Sequence, residues 1–143
     1  MREIKFRAFD KKLKKMFPVL KIEWEPMHWD ELPTRYWDIW LGVDEHGKEI
    51  ETHYDWFELM QFTGLKDKNG KEIYEGDILF KYGDNYNGVV EWDGKDRVGF
   101  YIHEYYPKGE MDRHHDFNSY TSKKEVIGNI FETPRLKRKW GIK

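Results

Sequence analysis

Apolar and polar residues alternate along this chain in short runs, and helical stripes are rare. Ile4, Phe6 and Ala8 alternate with Lys5 and Arg7, a polar turn follows from Asp10 to Lys15, and a second apolar run extends from Met16 to Ile22. A period of two on either side of a turn predicts an N-terminal β-hairpin. Pro18 has no amide hydrogen for a ladder, which predicts an edge or a strand start for the second run. Ile78, Phe80 and Tyr82 alternate with Leu79 and Lys81 as in a half-buried strand. Val90 and Trp92 then oppose Val89 and Glu91, Asp93-Gly94 marks a turn, and Val98 to Ile102 resumes the apolar run. Residues 78–102 therefore read as a three-stranded meander. Val126 to Phe131 gives one more strand, stopped by Thr133-Pro134. Short, closely spaced strands predict a mainly β fold: a small barrel or rolled antiparallel sheet with few short helices.

Turn chemistry refines this picture. Asn69-Gly70 is the pair that suits a two-residue type I′ hairpin, because both central positions there need positive φ. Glu75-Gly76-Asp77 reads as a glycine-centred bend, and Gly64 and Gly76 are expected in conformations that side chains avoid. Residues 44–50, DEHGKEI, echo residues 67–73, DKNGKEI, in register. That similarity is ordinary hairpin chemistry, and it predicts a hairpin over Tyr36 to Tyr54 with Trp37, Ile39 and Leu41 on one face. A helix of about two turns is expected over Asp55 to Gln61, capped by Asp55. Pro33 argues against a long helix through residues 27–41.

The string LMQFTGLKDKNGKEIYEGDI, with the opening MREIKFRAFDKKLKKMF and the late EVIGNIFETP, resembles the YopX family of proteins encoded by bacteriophages and prophages. These segments take in the two ends and the middle of the chain. Trp24 to Glu58 lies outside the pattern, and Phe9 stands where the pattern leads one to expect a tryptophan. The resemblance implies a phage-derived protein of β-barrel architecture with no assigned activity, and it carries over no catalytic residue.

A chain of 143 residues suits one domain, which at this size hides roughly 68–70% of the surface its unfolded chain exposes. We expect residues 1–143 to form a single domain, with 24–58 as an acidic, aromatic-rich insertion and 59–132 as the barrel core segment. The chain has no cysteine, which excludes thiolate zinc sites and cysteine nucleophiles and fits a reducing compartment. No apolar run approaches the roughly 20 residues of a membrane span, and no signal-type core follows Met1-Arg2-Glu3. The expectation is a soluble protein in the cytoplasm of a bacterial host, without membrane contact.

The net charge is only −2, yet it is unevenly distributed: residues 1–23 sum to +5, 24–58 to −8, 59–100 to −2 and 101–143 to +3. Oppositely charged segments lying together on one surface is the simplest reading; a steering patch is the alternative. Aromatic residues make up 17% of the chain, and many of them fall in the acidic stretch. Nucleic acid favours aromatics set among cations, whereas aromatics with carboxylates suit a protein interface. Trp29, Tyr36, Trp37, Trp40 and Trp56 are therefore the candidate interface residues, for a second copy of the chain or for a host or phage protein. The competing view of them is simple core filling.

The nucleic-acid alternative rests on Lys11, Lys12, Lys14 and Lys15 in the first turn, on Lys123-Lys124, and on a tail bearing Arg135, Lys137, Arg138 and Lys139. An enzyme reading has one foothold, the histidines and carboxylates His103, Glu104, Asp112, His114, His115 and Asp116. Their spacing matches no metal or nucleophile motif. Asp84, Glu91, Asp93 and Asp96 read as turn formers. No catalytic residue, metal or cofactor is expected, and the function class is a non-enzymatic binding or self-associating module.

Overall fold

A computed structural model describes residues 3–24, 37–43, 49–80, 83, 87–95, 98–106, 109–110, 117 and 121–142. The chain divides into two compact units, one of residues 5–60 and the other of residues 1–4 with 61–143.

In the 5–60 unit, β1 (Phe6–Asp10) and β2 (Lys15–Trp24) form the expected hairpin, with register from Arg7 opposite Pro18 to Asp10 opposite Lys15. β3 (Trp37–Val43) and β4 (Glu49–His53) form the second hairpin. The strands lie in the order β4-β3-β2-β1-β5, all neighbours whose register is given being antiparallel. Pro18 departs from expectation, because β2 has a partner on each side. The conflict is local: pairing with β3 runs from Trp24 only as far as Val19, so the ladder on that side stops one residue short of the proline. Alternation on β1 and β2 buries Ala8 and Phe17 together with Phe57, and Val19, Ile22, Ile50 and Leu59 pack around them.

Residues 55–61 do not form the expected helix. A 3-10 turn over Tyr54–Trp56 leads directly into β5 (Phe57–Lys66). Seven residues nucleate a helix poorly, and the apolar positions of this stretch are instead used in a strand, with Phe57 and Met60 buried.

In the other unit, β5 continues from Gln61 and pairs with β6 (Glu72–Tyr74). β7 (Asp77–Phe80), β8 (Asn87–Asp93) and β9 (Gly99–Tyr106) form the expected antiparallel meander. β10 (Gly109–Glu110) and β11 (Glu125–Asn129) flank it in the order β10-β9-β8-β7-β11. β7 is not half-buried. Ile78 and Leu79 are both fully buried, Leu79 with Ile73, Val90 and Ile102, and Ile78 with Val89, Tyr105 and Ile142. Successive residues of a strand point to opposite faces, so this sheet carries a core on each face. No closed barrel is found among the described residues.

The loop between β5 and β6 is not a two-residue type I′ turn. Gly70 has φ +84°, while Asn69 is not among the described residues of positive φ. Asp67 sets the geometry instead, its Oδ1 accepting from the amides of Asn69 at 2.8 Å and Lys71 at 2.9 Å. Gly70 N closes the turn on Asp67 O at 3.0 Å. Gly76 does behave as expected, with φ +76°; its amide donates to Val90 O and its carbonyl accepts from Ile130 N.

The basic tail is a helix, α1 (Pro134–Trp140), where a solvated end is the simpler expectation from sequence. Proline in the first turn and Gly141 in the left-handed conformation bound it, the usual asymmetry of helix ends. Ile142 N reaches back to Lys137 O at 3.0 Å, and the Ile142 side chain joins the core.

Candidate interaction surface

The turn between β1 and β2 is built from a buried carboxylate outward. Asp10 is 4% exposed, and its Oδ1 accepts from the amides of Lys12 and Leu13, each at 2.8 Å. A short acid bonding to amides two and three residues on fixes the turn without a glycine. Lys14 takes φ 52° at its end. A second anchor comes from the 3-10 turn, where Trp56 O accepts from Lys11 N at 2.7 Å.

These anchors bring the basic turn onto the aromatic, acidic segment. Lys11 Nζ lies 2.8 Å from Glu58 Oε1 and 3.4 Å from Asp55 O. Lys12 Nζ sits over the Trp56 ring. Lys15 Nζ lies 5.5 Å from the centre of the Phe17 ring. The Lys11–Glu58 pair is about half exposed on both sides, and such a pair contributes about 0–1 kcal/mol; its effect is to place charge. Oppositely charged segments lie together, the simplest sequence reading of the charge asymmetry. Leu13, 57% exposed, and Trp56, 43% exposed, remain open to solvent beside the lysines.

The other candidates fall elsewhere. Trp37 and Trp40 lie on β3, opposite Trp24 and Lys21 of β2. Trp29 and Tyr36 lie outside the described residues. Arg135, Lys137, Arg138 and Lys139 stand on α1, in the other unit from the lysine turn. Lys124 is not a surface cation, being 4% exposed.

His103 and Glu104 are consecutive on β9 and separate accordingly. His103 Nδ1 lies 3.4 Å from Glu91 Oε2, which also accepts a bond from the Tyr101 hydroxyl, and its ring stacks on Tyr105 at 4.4 Å. Glu104 is fully buried and accepts from Tyr106 OH at 2.9 Å. Glu91 is thus a strand residue engaged across β8 and β9, not a turn former, whereas Asp93 does hold a turn through Lys95 N. Burial raises the Glu75 carboxyl above its ordinary value, and the charge of Glu91 adds to this against a lowering bond from the Gln61 backbone. Asp112, His114, His115 and Asp116 lie outside the described residues. Among the described residues no three His, Cys, Asp or Glu side chains gather as a metal site would require, and no helix is long and apolar enough to cross a membrane.

Asp10, which holds this turn, and Leu13, exposed on it, are not among the candidates that the sequence singles out. An aspartate at the head of a polar turn is the signal the sequence offers for Asp10, and it offers none for Leu13.

Comparison with known proteins extends the resemblance through residues 24–58, which the sequence pattern leaves outside it. A family described as YopX protein matches residues 5–137. The crystal structure of protein EF1440 from Enterococcus faecalis superposes with a TM-score of 0.53 at 27% identity, over 95% of this chain and 99% of that one. No protein with a curated description matches.

Proposed function

The chain belongs to the YopX family, and from that premise we propose that it is a non-enzymatic binding module that acts through protein contact, first with a second copy of itself. The observation that carries the reading is that Leu13 and Trp56 are both exposed, Leu13 on the lysine turn and Trp56 under Lys12, with the turn's backbone held by Asp10 and by Trp56 O. Tryptophan on a pre-organised, partly desolvated surface is the commonest interface anchor, and a rigid loop loses little entropy on docking. The occupant is another copy, whose acidic stretch complements the turn in charge, −8 in residues 24–58 against +5 in residues 1–23; that charge steers encounter, while the apolar pair holds the contact in salt.

The nucleic-acid alternative draws less support. Within the first turn Lys11 is committed to Glu58 and Lys12 to Trp56, which leaves Lys14 and Lys15 there, while the tail cations Arg135, Lys137, Arg138 and Lys139 stand in the other unit. The two remaining turn lysines would by themselves give a salt slope of only about −2. The same proposal holds the protein to be encoded by a phage or prophage and to act in the bacterial cytoplasm.

The test is sedimentation velocity of the wild type beside Leu13→Ala with Trp56→Ala. Loss of a discrete oligomer with native circular dichroism supports the reading. An oligomer that both changes leave intact contradicts it.

A further inference from the structure

Arg135 and Lys139 stand four residues apart on α1 and therefore share one side of the helix. Both line an open cleft of about 750 Å³, together with Glu132, Thr133, Pro134 and Leu136. That volume falls in the usual range for small-ligand sites, about 300–1,000 Å³. The cleft is braced from beneath. Leu136 packs on the core of Ile78, Val89, Tyr105 and Ile142. Asn129 Nδ2 donates to Glu132 Oε2 at 2.8 Å, and Asn129 N donates to Thr133 Oγ1 at 3.1 Å. Thr133 Oγ1 in turn donates to Asn129 O. Arg135 is exposed and has no ion pair among the described residues.

The chemistry of this lining selects its ligand. Arg135, exposed and without an ion pair among the described residues, gives the lining one available guanidinium beside the tethered Glu132 carboxylate and Lys139, which matches a monoanion. A polyanion such as nucleic acid would meet the Glu132 charge and the apolar walls of Pro134 and Leu136. Guanidinium presents a planar fork that matches a carboxylate, and the apolar walls take a hydrocarbon body. We propose that this cleft binds an apolar monocarboxylate, with Arg135 and Lys139 on the carboxylate and Pro134 and Leu136 against the chain.

The experiment is a ¹H–¹⁵N NMR titration of the full chain with octanoate, with octan-1-ol as the uncharged control. A peptide ending in a free leucine carboxylate, beside its amidated form, distinguishes a chain terminus from a free acid as the source. The expected result is saturable shifts confined to residues around 132–139 with octanoate or the free-acid peptide. Arg135→Ala with Lys139→Ala should weaken the affinity about tenfold, in line with the loss of a charge-assisted bond. Equal affinity for octan-1-ol or the amidated peptide, unchanged affinity in the double variant, or no shift from any probe overturns the proposal. Both changes are at solvent-facing positions, and thermal unfolding of the double variant checks that the fold persists.

Discussion

The ammonium of Lys12 stands over the indole ring of Trp56, which joins a residue of the most basic segment to one of the most acidic. Cation–π contact at an exposed site contributes about 0.5–1 kcal/mol, so its main consequence is positional. It fixes the ring while leaving 43% of the residue open, and the Trp56 carbonyl is held by Lys11 N. Residues that composition assigns to different partners thus occupy one surface.

That surface depends on Asp10. Asp10→Ala removes the acceptor for two amides while burying nothing in exchange. We expect a loss of roughly 1–3 kcal/mol in stability, read as a lower urea midpoint, together with weaker self-association than Trp56 burial alone would explain. Asp10→Asn, which keeps an acceptor oxygen, should recover most of both.

Much of this fold is legible along the chain. The hairpins of β1–β2 and β3–β4 and the meander β7–β9 follow from alternation and from turn residues, all of them local. What sequence hides is decided at a distance. The segment 55–61 looks helical in isolation, but Phe57 finds Ala8 and Phe17 across a sheet. Asn69-Gly70 suggests a tight turn, but Asp67 takes over the amides. The lysine turn and Trp56 lie some 40 positions apart, and no periodicity reports that Lys11 N reaches Trp56 O. α1 was within reach: Pro134 and Gly141 bracket it, but its seven residues gave a weak stripe.

Asp67 links the β5–β6 loop to β11, since its Oδ2 accepts from Val126 N at 3.0 Å. Burial acts to raise its carboxyl pKa, but bonds from Val126, Lys71 and Asn69 and the charge of Lys71 outweigh it and hold the pKa below the ordinary 3.8. A depressed folded-state pKa adds stability that is present above the unfolded value and lost as pH falls through the folded one. Acid unfolding of Asp67→Asn should therefore be less steep below about pH 4, with a loss of roughly 1–3 kcal/mol near neutrality. Urea melts at pH 3 and pH 7 measure both.

Glu75 has the opposite sign. Its carboxyl is raised, so its charged form opposes folding once pH rises through the folded-state value, and the effect vanishes below the unfolded one. Glu75→Gln should raise the melting temperature at pH 7 and leave it nearly unchanged at pH 3. Equal shifts at both values would contradict this.

Gly128 lies where β11 shifts register against β7. A Cβ there would meet Thr133 Oγ1 at 2.6 Å and Thr133 Cγ2 at 2.7 Å. Gly128→Ala must displace the threonine that braces Asn129, at a cost of roughly 1–3 kcal/mol. Gly70→Ala, which meets nothing within 4 Å but sits at φ +84°, suffers from backbone strain alone. Chemical denaturation should show both variants destabilised, and ¹H–¹⁵N spectra should show the Asn129 and Thr133 resonances moved in the Gly128 variant and in place in the Gly70 variant.

Light scattering on a size-exclusion column, at low and high salt with absorbance read at 260 and 280 nm, tests the binding-module account most directly. The account predicts a discrete oligomer that survives high salt, carries no nucleic acid, and dissociates about 30-fold more readily in Trp56→Ala, the factor for an interface anchor worth about 2 kcal/mol. A wild type that is monomeric at every concentration, or that copurifies with nucleic acid and sheds it in salt, would contradict it.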